Sequence, residues 1–425
     1  MMRRRDFLRG AGAAGFWIAG VVRGYGQEKS PNAKLDVASI GVGGRGRASV
    51  DACRNENVVA LCDVDRRILE KAGAAHPNAR LYADFRKMLE AEKRLDAVTV
   101  GTPDHVHAPA SVMAMRLGRH VYCEKPLAHS LYELRVMAET AAAMKRVTQM
   151  GNQLHSTENV IRPAELLQAG ALGTVREVHS WSDKAFAPGD RPREAPPVPA
   201  HLDWDLWLGP APERPYHPSY VPFHWRGWWD FGTANLGDMA CHILDPIVWG
   251  LGLGAPVAAE AEGPPPHPES GPEWRIVRYA FEKPDCRLTW YDGGRRPPAE
   301  LAPGAKLPSQ GSLVVGEKGT MLLLHGNGHR LLPEEQWKDV PEPPRTLPRP
   351  EGYSHHGDWI RAIKTGGRAG SDFGAAARLT EIPHVGNVAY RAGRRIEWDS
   401  AALRARNCPE ADPFIRREYR KGWSL

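Results

Sequence analysis

The first half of the chain alternates short apolar runs with longer segments that have helical periodicity. Apolar runs occupy residues 37–40, 58–65, 95–102 and 120–126, and helical patterns separate them, as in "DFRKMLEAEK" at 84–93 and "HAPASVMAMRLG" at 107–118. Strands separated by helices of this length predict a parallel, doubly wound sheet. Ligands of such sheets bind beyond the carboxyl ends of the strands. We therefore expect "TPDHVH" and "EKP", which follow two of these strands, to line a binding cleft.

The pattern changes after residue 150. Runs rich in β-branched and aromatic residues, with few helices between them, predict strands of a largely antiparallel sheet. These runs are "GTVREVHSWSDK", "WRIVRYAFEK", "DCRLTWYDG", "GSLVVGEK" and "TMLLLHGN". The predicted fold is α/β, with an N-terminal Rossmann domain at 35–150 and a C-terminal α+β domain with a large open sheet at 151–410. Proline-rich stretches at 187–222, 264–272 and 333–350 are predicted to be irregular.

Composition and charge exclude several classes of protein. The chain has 425 residues, 42% hydrophobic and 25% charged, which is typical of a soluble protein with two domains. Its net charge is +6, but the residues before 27 contribute +4 of this. The remainder lacks the excess of Lys and Arg that a nucleic-acid-binding protein needs. No stretch after residue 26 is long and apolar enough to span a bilayer, so we expect the mature chain to be outside the membrane.

The amino terminus resembles an export signal. "RRRDFLRGAGAAGFWIAGVV" joins a basic start to a short apolar run, and Arg4 and Arg5 stand where twin-arginine signals carry their arginine pair. We predict that residues 1–26 are a twin-arginine signal and that the protein is periplasmic or exported. A frayed basic helix is the alternative. Since that route carries folded proteins, an exported enzyme of this kind should keep its cofactor bound.

A glycine-rich turn follows the first predicted strand. Residues 41–46 read "GVGGRG", a helix follows them, and the second strand ends in Asp63 about twenty residues later. This arrangement is typical of a dinucleotide site, where glycines admit the pyrophosphate and the carboxylate binds the adenine ribose. Asp63 favours NAD because it repels a 2′-phosphate. Arg45, Arg66 and Arg67 favour NADP, so NADP remains possible.

The segment "LGDMACHILD" at 236–245 contains a candidate catalytic pair. On a helix, Asp238 and His242 lie one turn apart on the same face. A carboxylate beside an imidazole orients the ring and raises its basicity, which makes a general base. The competing interpretation is a polar pair that stabilises a buried helix. Asp245 is left outside the catalytic set because Pro246 disfavours helical geometry at the preceding residue.

These motifs together resemble the family of glucose-fructose oxidoreductase, inositol dehydrogenase and MocA. The resemblance rests on the glycine turn, "TPDHVHAPAS", "HVYCEKPLA" and "GDMACHILD", and it extends over residues 35–400. It implies that Lys125, Asp238 and His242 are catalytic, and that Asn152 contacts the nicotinamide end. The predicted cofactor-binding residues are Gly41, Gly43, Gly44, Arg45, Gly46, Asp63, Thr102, Pro103, His105, Glu124, Lys125 and Asn152. The predicted substrate-binding residues are Lys125, His155, Trp225, Asp238 and His242.

Three functions remain open. The first is a nicotinamide-dependent oxidoreductase that acts on a secondary hydroxyl of a sugar, with His242 as base, Lys125 stabilising the alkoxide and Asp238 orienting His242. The second is a redox-neutral, NAD-dependent glycosidase that oxidises C3 transiently and eliminates the aglycone. The third is a non-catalytic cofactor-binding protein. We expect a small carbohydrate substrate, no metal, no nucleic acid and a homo-oligomer, since the family uses its second sheet for oligomer contacts.

Overall fold

The computed structural model describes residues 33–425 of the chain. The predicted export signal at 1–26 lies outside these residues and stays a prediction. Within 33–425, no helix has both the length and the apolar character needed to cross a membrane.

The first half forms a six-stranded sheet whose strand order is β3-β2-β1-β4-β5-β6. Every pair of neighbouring strands is parallel, which confirms the predicted doubly wound sheet. The strands are β1 (Asp36–Ile40), β2 (Asn57–Cys62), β3 (Arg80–Tyr82), β4 (Ala97–Val100), β5 (His120–Glu124) and β6 (Thr148–Gly151). The helices between them are α1 (Gly44–Ala52), α2 (Arg66–Ala75), α3 (Phe85–Ala91), α4 (Asp104–Arg116) and α5 (Leu131–Ala143).

Local sequence accounts for several helix starts in this half. Asp65 and Asp84 accept hydrogen bonds from backbone amides in the first turns of α2 and α3. Ser130 and Glu133 form a reciprocal capping box at the start of α5. These caps satisfy amides that have no partner within the helix. They also fix where each helix begins relative to the preceding strand.

The second half forms a nine-stranded sheet whose order is β13-β12-β11-β7-β10-β9-β8-β14-β15. All its pairs are antiparallel except β7 with β10, so the prediction of a mostly antiparallel sheet is confirmed. The strands are β7 (Val175–Ser182), β8 (Ala258–Glu262), β9 (Ile276–Phe281), β10 (Cys286–Asp292), β11 (Gln310–Gly316), β12 (Gly319–Leu324), β13 (Gly328–Leu332), β14 (Ile396–Asp399) and β15 (Arg404–Ala405).

The remaining helices follow β6 in the chain. They are α6 (Glu158–Gln168), α7 (Trp204–Leu208), α8 (Ala234–Ile243), α9 (Asp245–Leu251), α10 (Glu334–Trp337), α11 (His355–Thr365), α12 (Phe373–Ala392) and α13 (Asp412–Ile415). Single turns of 3₁₀ helix lie at Gln153–Ser156, His224–Gly227, Ala299–Leu301, Glu351–Tyr353 and Pro409–Ala411. Helix α11 packs against β5 and β6, and α12 contacts β6 as well as β8. The chain therefore returns to the parallel sheet late, which the sequence patterns did not indicate.

Candidate active site

A cavity of about 870 Å³ lies along the carboxyl ends of the parallel strands. Gly41 and Gly43 line one wall, Asp63 lies at the end of β2, and Lys125 follows β5. Trp225, from the second half of the chain, also lines the cavity. Residues from both halves of the chain thus line the cavity, at the edge of the sheet where the topology predicts a ligand.

The glycine turn has room for backbone atoms only. Gly41 has a φ of +74°, and a Cβ atom added there would lie 2.8 Å from backbone atoms of Gly101. A Cβ at Gly46 would lie 1.9 Å from the Gly41 carbonyl oxygen. Because both positions exclude side chains, α1 can start close to the strand ends and leave space above the turn. That space suits a pyrophosphate at the amino end of a helix.

Most of the predicted cofactor-binding residues lie on the cavity wall, but Gly46 does not. It packs against Gly41 and Gly101, where it allows α1 to approach the strands. The predicted residues on the wall are Gly41, Gly43, Gly44, Arg45, Asp63, Thr102, Pro103, Glu124 and Lys125. Close helix packing thus accounts for a glycine at position 46, and the contact of Gly46 with the cofactor stays a prediction.

Asp63 is held in place by the backbone of its surroundings. Its Oδ2 accepts a hydrogen bond from the Val42 amide at 2.9 Å, and its Oδ1 accepts one from the Asp65 amide at 3.0 Å. Burial raises the pKa of Asp63, and these two amide donors oppose the rise. The carboxylate is thereby fixed to the glycine turn, and its remaining lone pairs are available to ribose hydroxyl groups.

Arg45 and Glu124 form an ion pair on the wall of the cavity. The Nε atom of Arg45 lies 3.4 Å from Glu124 Oε1, and Gln153 donates a hydrogen bond of 2.9 Å to the same oxygen. Burial raises the pKa of Glu124 to about 6, although Arg45 and Lys125 act to lower it. The exposed Arg45 guanidinium therefore lies at the glycine turn, where its positive charge favours a bound anion.

Lys125 and Asp238 form an ion pair between the two halves of the chain. Lys125 Nζ donates to Asp238 Oδ1 at 2.6 Å and to the Asp238 carbonyl oxygen at 3.0 Å. Burial acts to lower the pKa of Lys125, but the Asp238 carboxylate outweighs it and the pKa lies above its usual value. Burial likewise acts to raise the pKa of Asp238, and Lys125 outweighs it, so that pKa is lowered. Both groups are therefore charged at neutral pH.

His242 lies near this pair without a hydrogen bond to it. Its Nδ1 is buried and has no partner among the described residues, whereas Asp238 bonds to Lys125 and lies 3.4 Å from Arg226 Nε. Two cations thus contact the Asp238 carboxylate, no hydrogen bond joins it to the His242 ring, and the orienting role of Asp238 stays a prediction. The structure gives Asp238 the task of positioning Lys125.

The His242 ring faces a second, smaller cavity of about 20 Å³ on the side of the antiparallel sheet. His325 shares this cavity, and the two ring centroids lie 5.9 Å apart. Burial lowers the pKa of His242 well below its usual value, and Lys125 and His325 lower it further. At neutral pH the ring is therefore an uncharged proton acceptor. Asn159 and Ser312 also line this cavity, where Asn159 Nδ2 donates to the Gly326 carbonyl oxygen and the Ser312 hydroxyl bonds to that of Ser180.

Asp104 is a further acidic residue on the wall of the large cavity. It lies in the first turn of α4, and its Oδ2 accepts a hydrogen bond from Thr233 Oγ1 at 3.0 Å. Burial raises the pKa of Asp104 to about 7, against the lowering effect of Lys125. Asp104 lies within "TPDHVH" but is not among the predicted site residues, because nothing in that pattern shows which side chains face the cleft.

Other predicted site residues lie away from the large cavity. His105 is fully buried between Trp207 and Phe231, and its ring nitrogens contact the carbonyl oxygens of both residues. Burial lowers its pKa to about 3. The ring thus joins α4 to the segment that covers it, and the contact of His105 with the cofactor stays a prediction.

Asn152 and His155 form a buried cluster with Asp245. Asn152 Nδ2 donates to Asp245 Oδ2 at 2.9 Å, and His155 Nδ1 lies 3.0 Å from the same carboxylate. The His155 ring also stacks on Trp249, with 4.3 Å between centroids. Neither Asn152 nor His155 lines either cavity, so the structure does not support their predicted contacts with cofactor and substrate. One polar atom of each side chain contacts Asp245, which was left outside the predicted catalytic set, while Asn152 Oδ1 and His155 Nε2 have no partner among the described residues.

Arg226 is the functional residue that sequence reasoning missed most clearly. It lines the large cavity, and its guanidinium lies 4.3 Å from the ring centroids of both Phe223 and Trp225. It also approaches Asp238 at 3.4 Å. The predicted substrate residue Trp225 does line the cavity and packs against this cation. The tryptophan-rich segment "HWRGWWD" indicated a ligand-binding loop, but nothing in it indicated that Arg226 faces the cavity.

Two family models match the chain. The model described as an oxidoreductase family NAD-binding Rossmann fold matches residues 35–152, and the model of the oxidoreductase family C-terminal alpha/beta domain matches residues 153–302. The fold and the cavity thus belong to an oxidoreductase family with an NAD-binding domain. The chain is a member of the glucose-fructose oxidoreductase, inositol dehydrogenase and MocA family. Its first domain is an NAD-binding domain, as the glycine turn and Asp63 predicted.

Relatives with curated names have more than one activity. A glycosyl hydrolase family 109 protein of Saccharopolyspora erythraea is 24% identical over 90% of this chain and 86% of its own length. Another of Solibacter usitatus is 32% identical over 40% of this chain and 43% of its own length. An inositol 2-dehydrogenase of S. erythraea is 32% identical over 37% and 48%. The chain thus spans less than half of the last two relatives.

Solved structures share the fold at low sequence identity. The WlbA dehydrogenase from Bordetella pertussis, in complex with NADH and UDP-GlcNAcA, has a TM-score of 0.62 and 16% identity over 87% of this chain and 98% of its own. A levoglucosan dehydrogenase in complex with NADH and L-sorbose has a TM-score of 0.59 and 17% identity over 87% and 100%.

Asp63 provides a direct test of the dinucleotide site. We expect Asp63→Ala to weaken NAD binding by roughly 1.5–3 kcal/mol, because a charge-assisted bond to the ribose is lost. The preference for NAD over NADP should narrow as well, since the charge that repels a 2′-phosphate is removed. Titration calorimetry with both dinucleotides measures the two effects. Asp51→Ala, an exposed substitution on α1, is the matched control, and an unchanged NAD affinity in Asp63→Ala would show that Asp63 is not the ribose ligand.

Proposed function

We propose that this protein is an NAD-dependent oxidoreductase that acts on a secondary hydroxyl of a sugar or sugar derivative and keeps its cofactor bound. The observation that carries the proposal is Lys125 on the wall of the large cavity, paired with Asp238 behind it and with the uncharged His242 ring nearby. Oxidising an alcohol requires a base for the hydroxyl proton and a positive charge near the alkoxide oxygen.

Each of the three side chains has a distinct task in this proposal. The imidazole of His242 accepts the hydroxyl proton, since it is uncharged at neutral pH. The Lys125 ammonium stabilises the developing negative charge on the substrate oxygen. Asp238 keeps that ammonium charged and directed into the cleft. Bound NAD would accept the hydride from the substrate carbon that carries this hydroxyl group.

A redox-neutral glycosidase is the second candidate. The relative that matches the chain over most of both lengths is a glycosyl hydrolase family 109 protein. In that reaction the C3 hydroxyl is oxidised, the C2 proton becomes acidic and is removed, and the C1 aglycone leaves. Water then adds to C1, and the C3 ketone is reduced again. The same base and cation serve both reactions, so the residues alone favour neither.

One experiment separates the two candidates. The purified protein is first denatured and the released dinucleotide identified by mass spectrometry, where we expect NAD. The native protein is then mixed with free sugars and with aryl glycosides while the absorbance of the reduced nicotinamide is recorded. We expect a free sugar to leave the bound cofactor reduced.

A glycosidase would give a different result in this experiment. Aglycone would be released without net reduction, and the C2 proton of the product would exchange with deuterium from the solvent. That outcome would replace the oxidoreductase proposal with the second candidate. Finding no dinucleotide in the denatured protein would contradict the proposed retention of the cofactor, and His242→Ala serves as the control for activity from contaminating enzymes.

We also propose that the enzyme is exported through the twin-arginine route. Arg4 and Arg5 support this, together with the apolar run that follows them. Replacing both by Lys should leave active enzyme in the cytoplasm, because that route recognises the arginine pair rather than its charge. Cell fractionation with an activity assay measures this, with Arg23→Lys as the matched control. If the double variant were exported as efficiently as the unchanged protein, that result would contradict the proposal.

A further inference from the structure

Residues 416–425, here called the carboxy-terminal strap, run across the dinucleotide-binding half of the protein. Arg417 anchors the beginning of the strap: its Nε donates to Glu133 at 2.7 Å and its Nη2 to the His105 carbonyl oxygen at 2.6 Å. The Tyr419 hydroxyl donates to the same Glu133 oxygen at 2.6 Å. Glu133 is almost fully buried, so both bonds are shielded from water.

A second anchor joins the strap to the segment that follows α7. The Arg420 amide donates to the Pro210 carbonyl oxygen at 3.0 Å, and the Arg420 Nε donates to that of Gly209 at 3.1 Å. The guanidinium also pairs with the Asp205 carboxylate. The strap is therefore fixed at two places before it reaches the cavity.

Trp423 brings the strap into the cofactor cavity. Its indole lines the 870 Å³ cavity beside Asp84 and Phe85. The Arg86 guanidinium lies 4.3 Å over the Trp423 ring, and Arg86 Nη1 donates to the Gly422 carbonyl oxygen at 3.4 Å. The Phe85 ring centroid is 5.9 Å away. The indole is thus held from α3 while part of it faces the space where a ligand would lie.

The order of groups along the cavity identifies what lies near Trp423. The glycine turn takes the pyrophosphate, and Asp63 takes the adenine ribose. Lys125 marks the opposite end, where the reaction occurs. Trp423 lies with residues 83–85, which follow β3, the strand that pairs with β2 beyond Asp63. This is the part of the cavity that remains for the adenine base.

A second segment covers the same end of the cavity. Residues 199–222 contribute Pro199, Leu202 and Tyr216 to its wall. The Arg66 amide donates to the His201 carbonyl oxygen at 2.8 Å, and the Asp203 amide donates to that of Val64 at 2.9 Å. Because Arg420 of the strap bonds to residues 205–210, the two segments support each other.

We propose that the carboxy-terminal strap completes the adenine subsite, with the Trp423 ring against the base, and that it slows the release of the dinucleotide. A flat indole suits any purine, since stacking needs only a π-face. The strap lies outside both family-model matches. The inference rests on NAD binding and is independent of which sugar reaction occurs.

Trp423→Leu tests the proposal, because leucine keeps an apolar contact with Phe85 but has no flat face. Binding of ADP, which contains only the adenine half, is measured by titration calorimetry. We expect a loss between about 5-fold and 100-fold, the range for loss of a stacked base. Release of NADH, followed by its fluorescence after addition of excess NAD, should accelerate by a similar factor. Nicotinamide mononucleotide, the other half, should bind as it does to the unchanged protein.

Two further variants complete the experiment. Trp423→Phe keeps an aromatic face and should restore most of the ADP affinity. Trp337→Leu changes a partly buried tryptophan near β13 and should alter neither ligand. If Trp423→Leu does not fold, Arg420→Gln loosens the second anchor and should still accelerate NADH release. ADP affinity and NADH release within twofold of the unchanged protein, in a folded variant of either kind, would overturn the proposal.

Discussion

Lys125→Met is expected to lose roughly 10²- to 10³-fold in kcat/KM, the cost of removing one donor that stabilises a developing oxyanion. It should also lose stability, because Asp238 would remain buried with only the 3.4 Å contact to Arg226. Breaking one partner of a buried ion pair costs roughly 3–5 kcal/mol. Urea unfolding and steady-state kinetics measure the two effects separately.

The stability loss should depend on pH in a defined direction. In the unchanged protein Lys125 lowers the pKa of Asp238, so the pair stabilises the fold above the unfolded pKa of the carboxyl and less as pH falls. Without Lys125 the same burial raises that pKa, so the variant should lose more stability at pH 7 than at pH 4. The double variant Lys125→Met with Asp238→Asn should recover much of the stability and none of the activity. Equal losses at both pH values would contradict the ion pair as the cause.

His242→Ala is expected to lose roughly 10²- to 10⁴-fold in kcat, the usual contribution of a positioned general base. Its melting temperature should change little, because His242 Nδ1 makes no hydrogen bond that the substitution would break. Bound NAD should remain, since the ring lines the smaller cavity rather than the larger one. Activity, melting temperature and released dinucleotide are measured on the same preparation.

The control for this variant is His329→Ala, which removes an imidazole from β13 and lines neither cavity. A purely structural role for His242 predicts a lower melting temperature and a loss of activity only in proportion to unfolded protein. The pH profile adds a second criterion. Lys125 lowers the pKa of His242, so its removal should raise that pKa and move the acid limb of the residual activity to higher pH.

The parallel sheet was predictable because its signals are local. Each buried strand is a short apolar run, each helix has its own period, and the glycine turn is defined by neighbours in sequence. The positions of Asp63 and Lys125 in the cavity follow directly from their places after β2 and β5. The positions of Asp238 and His242 on one helix were also predictable, and α8 confirms that helix.

Side-chain partners were less predictable, since they depend on contacts between distant segments. Asp238 lies 113 residues from Lys125, and that ammonium displaced the expected bond to His242. His105 had the sequence context of a cleft residue, yet Trp207 and Phe231 bury it. Neither periodicity nor motif spacing carries information on such long-range competition. The role of Trp423 could not be predicted from the sequence, because its partners Phe85 and Arg86 lie more than 300 residues earlier in the chain.

The late return of the chain to β6 has a consequence for the order in which the protein assembles during synthesis. The Met150 amide donates to the Ser371 carbonyl oxygen at 2.8 Å, and the Met150 carbonyl oxygen lies 2.7 Å from His355 Nε2. The Phe373 amide donates to Thr148 Oγ1 at 3.0 Å. A ribosome that has completed β6 must therefore add more than 200 residues before this edge strand receives its last partners. Until then the nascent NAD-binding half carries an open sheet edge, whose unpaired backbone groups could pair with another strand.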